Sequence, residues 1–140
     1  MKKICIVYWS GTGNTEAMAK AVAEGVNNAG AEGVLFAASE FDPNTLGSYD
    51  AAAFGCPSMG CEQLEEGEFE PLFTQCEPML SGKNIALFGS YGWGDGEWMR
   101  NWKEQCESDG AMLIGEPVIC NDAPSDEVLD ACRKLGAALA

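Results

Sequence analysis

The stretch Ile4 to Thr15, ICIVYWSGTGNT, constrains this chain more than any other: an apolar run stops abruptly at a loop of Ser, Gly, Thr and Asn. The run is rich in β-branched and aromatic residues and too short for a helix, so it reads as a buried strand. The loop opens an Ala-rich segment in which Met18, Ala21, Val22, Gly25 and Val26 recur at helical spacing until Asn27, Asn28 and Gly30 end it. Strand, Gly-rich turn and helix in that order leave the first helical N–H groups facing the turn, where the helix dipole adds partial positive charge. Such a turn is an anion site.

A phosphate-binding loop of the nucleoside triphosphate type needs Lys and then Ser or Thr after its last glycine, but Gly13 is followed by Asn14, Thr15 and Glu16. A dinucleotide fingerprint needs a small residue where Glu16 stands. What remains is a compact cradle with hydroxyls on Ser10, Thr12 and Thr15, an amide on Asn14 and no cation, suited to one phosphate monoester held by neutral donors. The same residues would also serve as a plain helix entry.

Further along, Gly33–Ala38, Ala51–Gly55, Asn84–Gly89 and Met112–Ile119 read as strands. Pro43–Leu46 reads as a helical turn, and Gln63–Met79, the segment around Trp98, Met99, Trp102 and Cys106, and Ser125–Leu139 read as helices. Five strands alternating with helices imply an α/β fold, a doubly wound parallel sheet with helices on both faces, filling residues 1–140 as a single domain. Ligands of such sheets sit at the carboxyl ends of the strands, near the point where strand order reverses. The loops after the first, third and fourth strands fall at that edge.

The fourth-strand loop, Ser90-Tyr91-Gly92-Trp93-Gly94-Asp95-Gly96, sets Trp93 between glycines as a stacking platform for a planar ring or a plain hydrophobic lid. The third-strand loop offers Met59 for a ring's other face and Gly60 for a backbone with positive φ. A phosphate and a flat ring held apart by a linker describe a mononucleotide. Trp9, Trp98 and Trp102 read as packing residues.

The seven cysteines are odd in number and scattered, with no CxxC pair, and read as a reduced set; there is no histidine. Metal centres and histidine acid-base catalysis recede accordingly. A formal net charge of −14 argues against nucleic acid and anionic membranes, and either steers the chain toward basic patches on other proteins or serves only to keep a small, abundant protein soluble. No stretch resembles a signal peptide or a membrane span, so a soluble, cytoplasmic monomer is expected.

YWSGTGNTE, GCPSMGCE and ALFGSYGWGDGEWM together resemble the three FMN loops of the short-chain bacterial flavodoxins, and the resemblance covers essentially the whole chain. It implies the flavodoxin-like strand order 2-1-3-4-5. It also implies an electron carrier without substrate turnover, in which non-covalent FMN passes single electrons at low potential between semiquinone and hydroquinone, in place of ferredoxin. The implied partners are ferredoxin or flavodoxin reductases and other oxidoreductases. Carried over residue by residue, Ser10, Gly11, Thr12, Gly13, Asn14 and Thr15 bind the phosphate. Met59 and Trp93 flank the ring, with Ser58, Cys61, Ser90, Tyr91, Gly92 and Gly94 in the same loops. Gly60 meets flavin N5 and the Glu62 carboxylate accepts from N3–H. No catalytic or metal-binding residue is implied.

In the family's backbone switch, Gly60 is the first central residue of a type II′ turn in one redox form, whereas Cys61 takes positive φ in the other. That position would cost Cys61 roughly 1–2 kcal/mol. Replacing Cys61 by Gly is therefore expected to lower the oxidised/semiquinone potential by on the order of 60 mV. The alternative reading, a small FMN-dependent reductase of NAD(P)H or quinones, needs room beside the ring for a second substrate, where Trp93 is expected to lie. A receiver domain needs acids where Trp9-Ser10 and Gly55-Cys56 stand, and a low-molecular-weight phosphatase needs a Cys–Arg pair around its phosphate loop; neither pattern occurs.

Overall fold

The computed structural model describes residues 1–140. Its strands are β1 (Lys3–Tyr8), β2 (Glu32–Ala37), β3 (Ala51–Gly55), β4 (Asn84–Tyr91), β5 (Met112–Leu113) and β6 (Val118–Asn121). The helices are α1 (Asn14–Asn28), α2 (Phe69–Cys76), α3 (Glu97–Ser108) and α4 (Asp126–Leu139). The sheet runs β2-β1-β3-β4-β5, with β6 also beside β4, and every pair is parallel. The expected fold class and strand order are both present.

Parallel strands covered on both faces must be apolar throughout, and β1 and β3 are buried accordingly. One face carries α2 and α3, with Trp98 and Trp102 of α3 in one cluster with Cys5, Val7, Phe54 and Leu87. The other carries α1 and α4, with Met18 of α1 in one cluster with Ile4, Ile6, Ala53 and Phe88. On the second face α1 and α4 meet backbone to backbone. A Cβ on Gly25 would overlap the Arg133 carbonyl, and one on Gly136 would overlap the Val22 carbonyl. That contact fixes where α1 points its N-terminus.

Two elements differ from the sequence reading. The fifth strand is interrupted between Leu113 and Val118, where Gly115 turns at φ +68 and Pro117 cannot donate to a ladder. Both pieces still pair with β4, β5 at Asn84–Ile85 and β6 at Phe88–Tyr91. Helix α2 begins at Phe69 rather than Gln63. Before it, Gln63 is bridged to Met59, and the Glu65 carboxylate accepts from the N–H groups of Gly67, Glu68 and Phe69, each at 2.8 Å. The turn that sequence assigned to the helix is spent on building its cap.

All seven cysteines are free thiols, and only Cys61 is exposed. Burial pushes Cys5, Cys56, Cys76, Cys106 and Cys132 up to about 12, so these thiols stay protonated and inert.

Candidate functional site

The loops after β1, β3 and β4 meet at the carboxyl edge of the sheet. They surround a cavity of about 220 Å³ whose walls include Gly11 and Thr12 from the first loop, with Asn14 at the start of α1, and Ser58 and Met59 from the second. The third contributes Gly92, with Ser90 and Tyr91, which the sequence reading put in that loop, at the end of β4. Hydrogen bonds lock the loops together. Thr15 Oγ1 and Ser90 Oγ, both buried, lie 3.1 Å apart. Ser58 N–H donates to the Ser90 carbonyl at 2.9 Å, and the Trp98 indole donates to the Cys56 carbonyl at 3.1 Å.

Helix α1 starts after Gly13, whose φ of +96 aims the following amides back into the first loop. Ser10 Oγ accepts from Gly13 N–H at 3.1 Å and Glu16 N–H at 3.2 Å. The Asn14 and Thr15 amides have no protein partner. Free amides at a helix start, hydroxyls around them and no cation fit the phosphate end of a mononucleotide. Met59, in the cavity wall, is 38% exposed; Trp93, next to the lining residue Gly92 but not itself in the wall, is 64% exposed, so the two loops expected to flank a ring each carry a large exposed apolar surface. The residues present therefore fit FMN.

The second loop differs from the expected four-residue turn. Gln63 N–H donates to the Met59 carbonyl at 3.0 Å and Met59 N–H to the Gln63 carbonyl at 2.8 Å, so three residues, Gly60, Cys61 and Glu62, form the tip. The positive φ values fall on Gly60 (+54) and Glu62 (+52), not on Cys61. Glu62 does not hang free: its Oε1 accepts from Gly96 N–H at 3.2 Å and Glu97 N–H at 3.0 Å, at the start of α3. Gly94 is the glycine that makes room for it, because a Cβ there would overlap the Glu62 side chain.

Three residues outside the sequence reading also line the cavity: Trp9, Pro57 and Asp122. Trp9, read as packing, is only half-buried, and its indole donates to Glu68 Oε1 at 3.1 Å. Its position one residue past β1, beside Ser10, was the available signal. Trp98 and Trp102 are buried in the core, as expected. Asp122 follows β6 at φ +59, and its N–H donates to the Tyr91 carbonyl at 2.8 Å. It adds a fourth loop to the same edge.

The sequence model of the flavodoxin family matches residues 6–136. The chain is 46% identical to a flavodoxin of Megasphaera elsdenii over 135 residues, covering 96% of each. It is 43% identical to one of Clostridium beijerinckii, covering 96% of this chain and 97% of that one. The solution structure of two-electron reduced Megasphaera elsdenii flavodoxin superposes with a TM-score of 0.89 over 97% of both chains. A flavodoxin from the domain Archaea, at 25% identity, superposes at 0.86 over 98% of this chain and 95% of that one. No helix is long and apolar enough to cross a membrane. Fold, loop edge and near full-length similarity agree: the chain belongs to the flavodoxin family, whose members are FMN-binding electron carriers rather than enzymes.

Proposed function

We propose that residues 1–140 act as one FMN-binding domain, cytoplasmic and monomeric, that carries single electrons at low potential between redox proteins in place of ferredoxin. Bound FMN supplies the one-electron chemistry. The chain's own groups bind, orient and shield it. The free Asn14 and Thr15 amides, with the hydroxyls of Ser10, Thr12 and Thr15, take the phosphate. Met59 and Trp93 take the two faces of the ring, and Ser58, Ser90, Tyr91 and Gly92 close the space between ring and phosphate. The Gly60 backbone serves N5, and the second oxygen of Glu62 serves N3–H. Gly60 already holds the left-handed conformation that a side chain would resist.

With 22 acidic against 8 basic side chains, the surface is steered toward basic patches on reductases and oxidoreductases. Their rate of electron exchange with this chain should fall as salt is added.

The observation that carries this reading is the N-terminus of α1, whose Asn14 and Thr15 amides are free and carry no carboxylate, beside a cavity walled by Met59 and next to the loop of Trp93. Titrating the FMN-free chain with FMN and with riboflavin tests it. FMN should bind at least about 100-fold tighter, the worth of several charge-assisted hydrogen bonds. The loaded protein should reduce in two resolved one-electron steps. Equal affinity for the two flavins, or a single two-electron step, overturns it.

A further inference from the structure

We infer that Glu62 is a positioning residue that ties the Met59–Gln63 turn to the start of α3, so that the two walls of the ring site are set as one unit before any cofactor arrives. The inference rests on the assignment of Met59 and Trp93 as those walls.

Four observations carry it. Glu62 Oε1 accepts from both Gly96 N–H and Glu97 N–H, across 34 and 35 residues of sequence. Helix α3 has no cap of its own, because the residue before it is Gly96 at φ +93, without a side chain. Glu62 itself stands at φ +52, a backbone that a residue with a Cβ adopts only when its surroundings enforce it. And Gly94, next to Trp93, must lack a Cβ for the carboxylate to pass. A charged acceptor on two amides at the positive end of a helix is among the stronger hydrogen bonds available to a surface loop.

The tie also explains how crowded acids are tolerated. Carboxylate oxygens of Glu62, Asp95 and Glu97 lie within 4.8 Å of one another. The helix amides answer Glu62, and Arg100 answers Asp95 at 3.0 Å. With one oxygen anchored on α3, the other can be offered to a ring N–H in a fixed direction. Glu62 then acts on the cofactor twice: once by contact, once by holding Trp93's loop against Met59's.

Glu62→Gln separates the two roles. Its amide oxygen can still accept from Gly96 and Glu97, but the NH₂ then faces the ring N–H donor to donor. Glu62→Ala removes both, and Gly94→Ala blocks the tie while keeping the charge. Amide hydrogen exchange by NMR on the full chain, without and with FMN, together with FMN affinity, reads them out. Without FMN, exchange at Gly96 and Glu97 should speed about 10-fold or more in Glu62→Ala and Gly94→Ala, and stay within about 3-fold of the parent in Glu62→Gln. FMN affinity should fall in the order parent, Glu62→Gln, Glu62→Ala. Unchanged exchange in Glu62→Ala, or Glu62→Gln exchanging as fast as Glu62→Ala, overturns the tie. Exchange as expected with equal FMN affinity in all variants supports the tie and overturns the placing of the ring beside Glu62.

Discussion

Helices α1 and α3 begin alike and are used in opposite ways. Each follows a glycine-rich loop at a strand end, and each is preceded by a left-handed glycine, Gly13 at φ +96 and Gly96 at φ +93, that offers no side-chain cap. At α1 the amides meet only the neutral Ser10 hydroxyl, and Asn14 and Thr15 stay free. At α3 the carboxylate of Glu62 already occupies the same kind of position. Helix α2 starts in the same way as α3, with the Glu65 carboxylate on the Glu68 and Phe69 amides. Carboxylates thus fill the starts of α2 and α3, and a hydroxyl, Ser125 Oγ, caps α4; what sets α1 apart from α2 and α3 is that the protein withholds its own carboxylate there. In a chain with 22 acidic residues that omission is what the proposed phosphate site rests on.

The largest effect should come from erasing that difference. Ser10→Asp would put a carboxylate on the Gly13 and Glu16 amides, making α1 resemble α3. A unit charge about 5 Å from a phosphate charge costs on the order of 3 kcal/mol at an effective dielectric near 20. FMN affinity should therefore fall by roughly two to three orders of magnitude in a fluorescence titration. The FMN-free variant should melt no lower than the parent, because the new carboxylate caps the helix. A variant that binds FMN normally would remove α1 as the phosphate site.

The same contrast explains what was legible in the sequence. The α1 cradle is local: Ser10, Gly13 and Glu16 lie within one turn, so SGTGNT carries its own geometry. The α3 cap comes from a residue 34 positions earlier, and no local pattern in GWGDGEW announces it. Periodicity likewise placed the five strand positions, but not the break at Gly115 and Pro117, two breakers inside an otherwise apolar run that hydropathy alone passes over. Trp9 reads as a strand-end packing residue because its neighbours are apolar. Only the folded chain shows that its indole turns to Glu68 and its ring lines the cavity.

A middle-sized effect concerns the ring end. An exposed carboxylate about 12 Å from the ring contributes only ~0.3 kcal/mol in water-like dielectric, roughly 15 mV for one electron. In the proposed site Trp93 would instead exclude water over the ring, and admitting water would stabilise added negative charge more strongly. Trp93→Ala should therefore raise the potential of the second one-electron step by about 60 mV or more, whereas replacing Glu66, Asp95 and Glu97 together by amides should raise it less. Potentiometry giving the reverse ranking would make surface charge, not the indole, the controlling factor at the α3 end.

A smaller effect separates the filled helix starts from the open one by pH. Burial raises the Glu65 carboxyl, but the N–H groups of Phe69, Glu68 and Gly67 lower it more, and the net value lies below the ordinary 4.5. A carboxyl depressed in the folded chain stabilises it above the unfolded value and loses that contribution as pH falls through the folded value. Glu65→Ala should cost about 1 kcal/mol at pH 7, as cap removals do. Glu65→Gln, which keeps an acceptor without the charge, should flatten the decline in urea stability below pH 4.5. Parallel curves for parent and Gln variant below that pH would show that the carboxylate charge adds nothing to the cap.

The smallest effect tests the tip of the second loop, where the structure revises the sequence. A four-residue turn would alternate positive φ between Gly60 and Cys61, and relieving Cys61 would then move the first one-electron potential by about 60 mV. The observed loop closes one residue later, at Gln63, and puts its second left-handed residue at Glu62, where the bond to α3 holds it. Cys61 bears no such strain, so Cys61→Gly should shift the first potential by less than about 20 mV, a few tenths of a kcal/mol for one electron. A fall near 60 mV would mean that the left-handed position migrates to Cys61 when the charge on the ring changes. The Glu62 tie would then have to slip on each electron transfer, and α3 would be a moving wall rather than a fixed one.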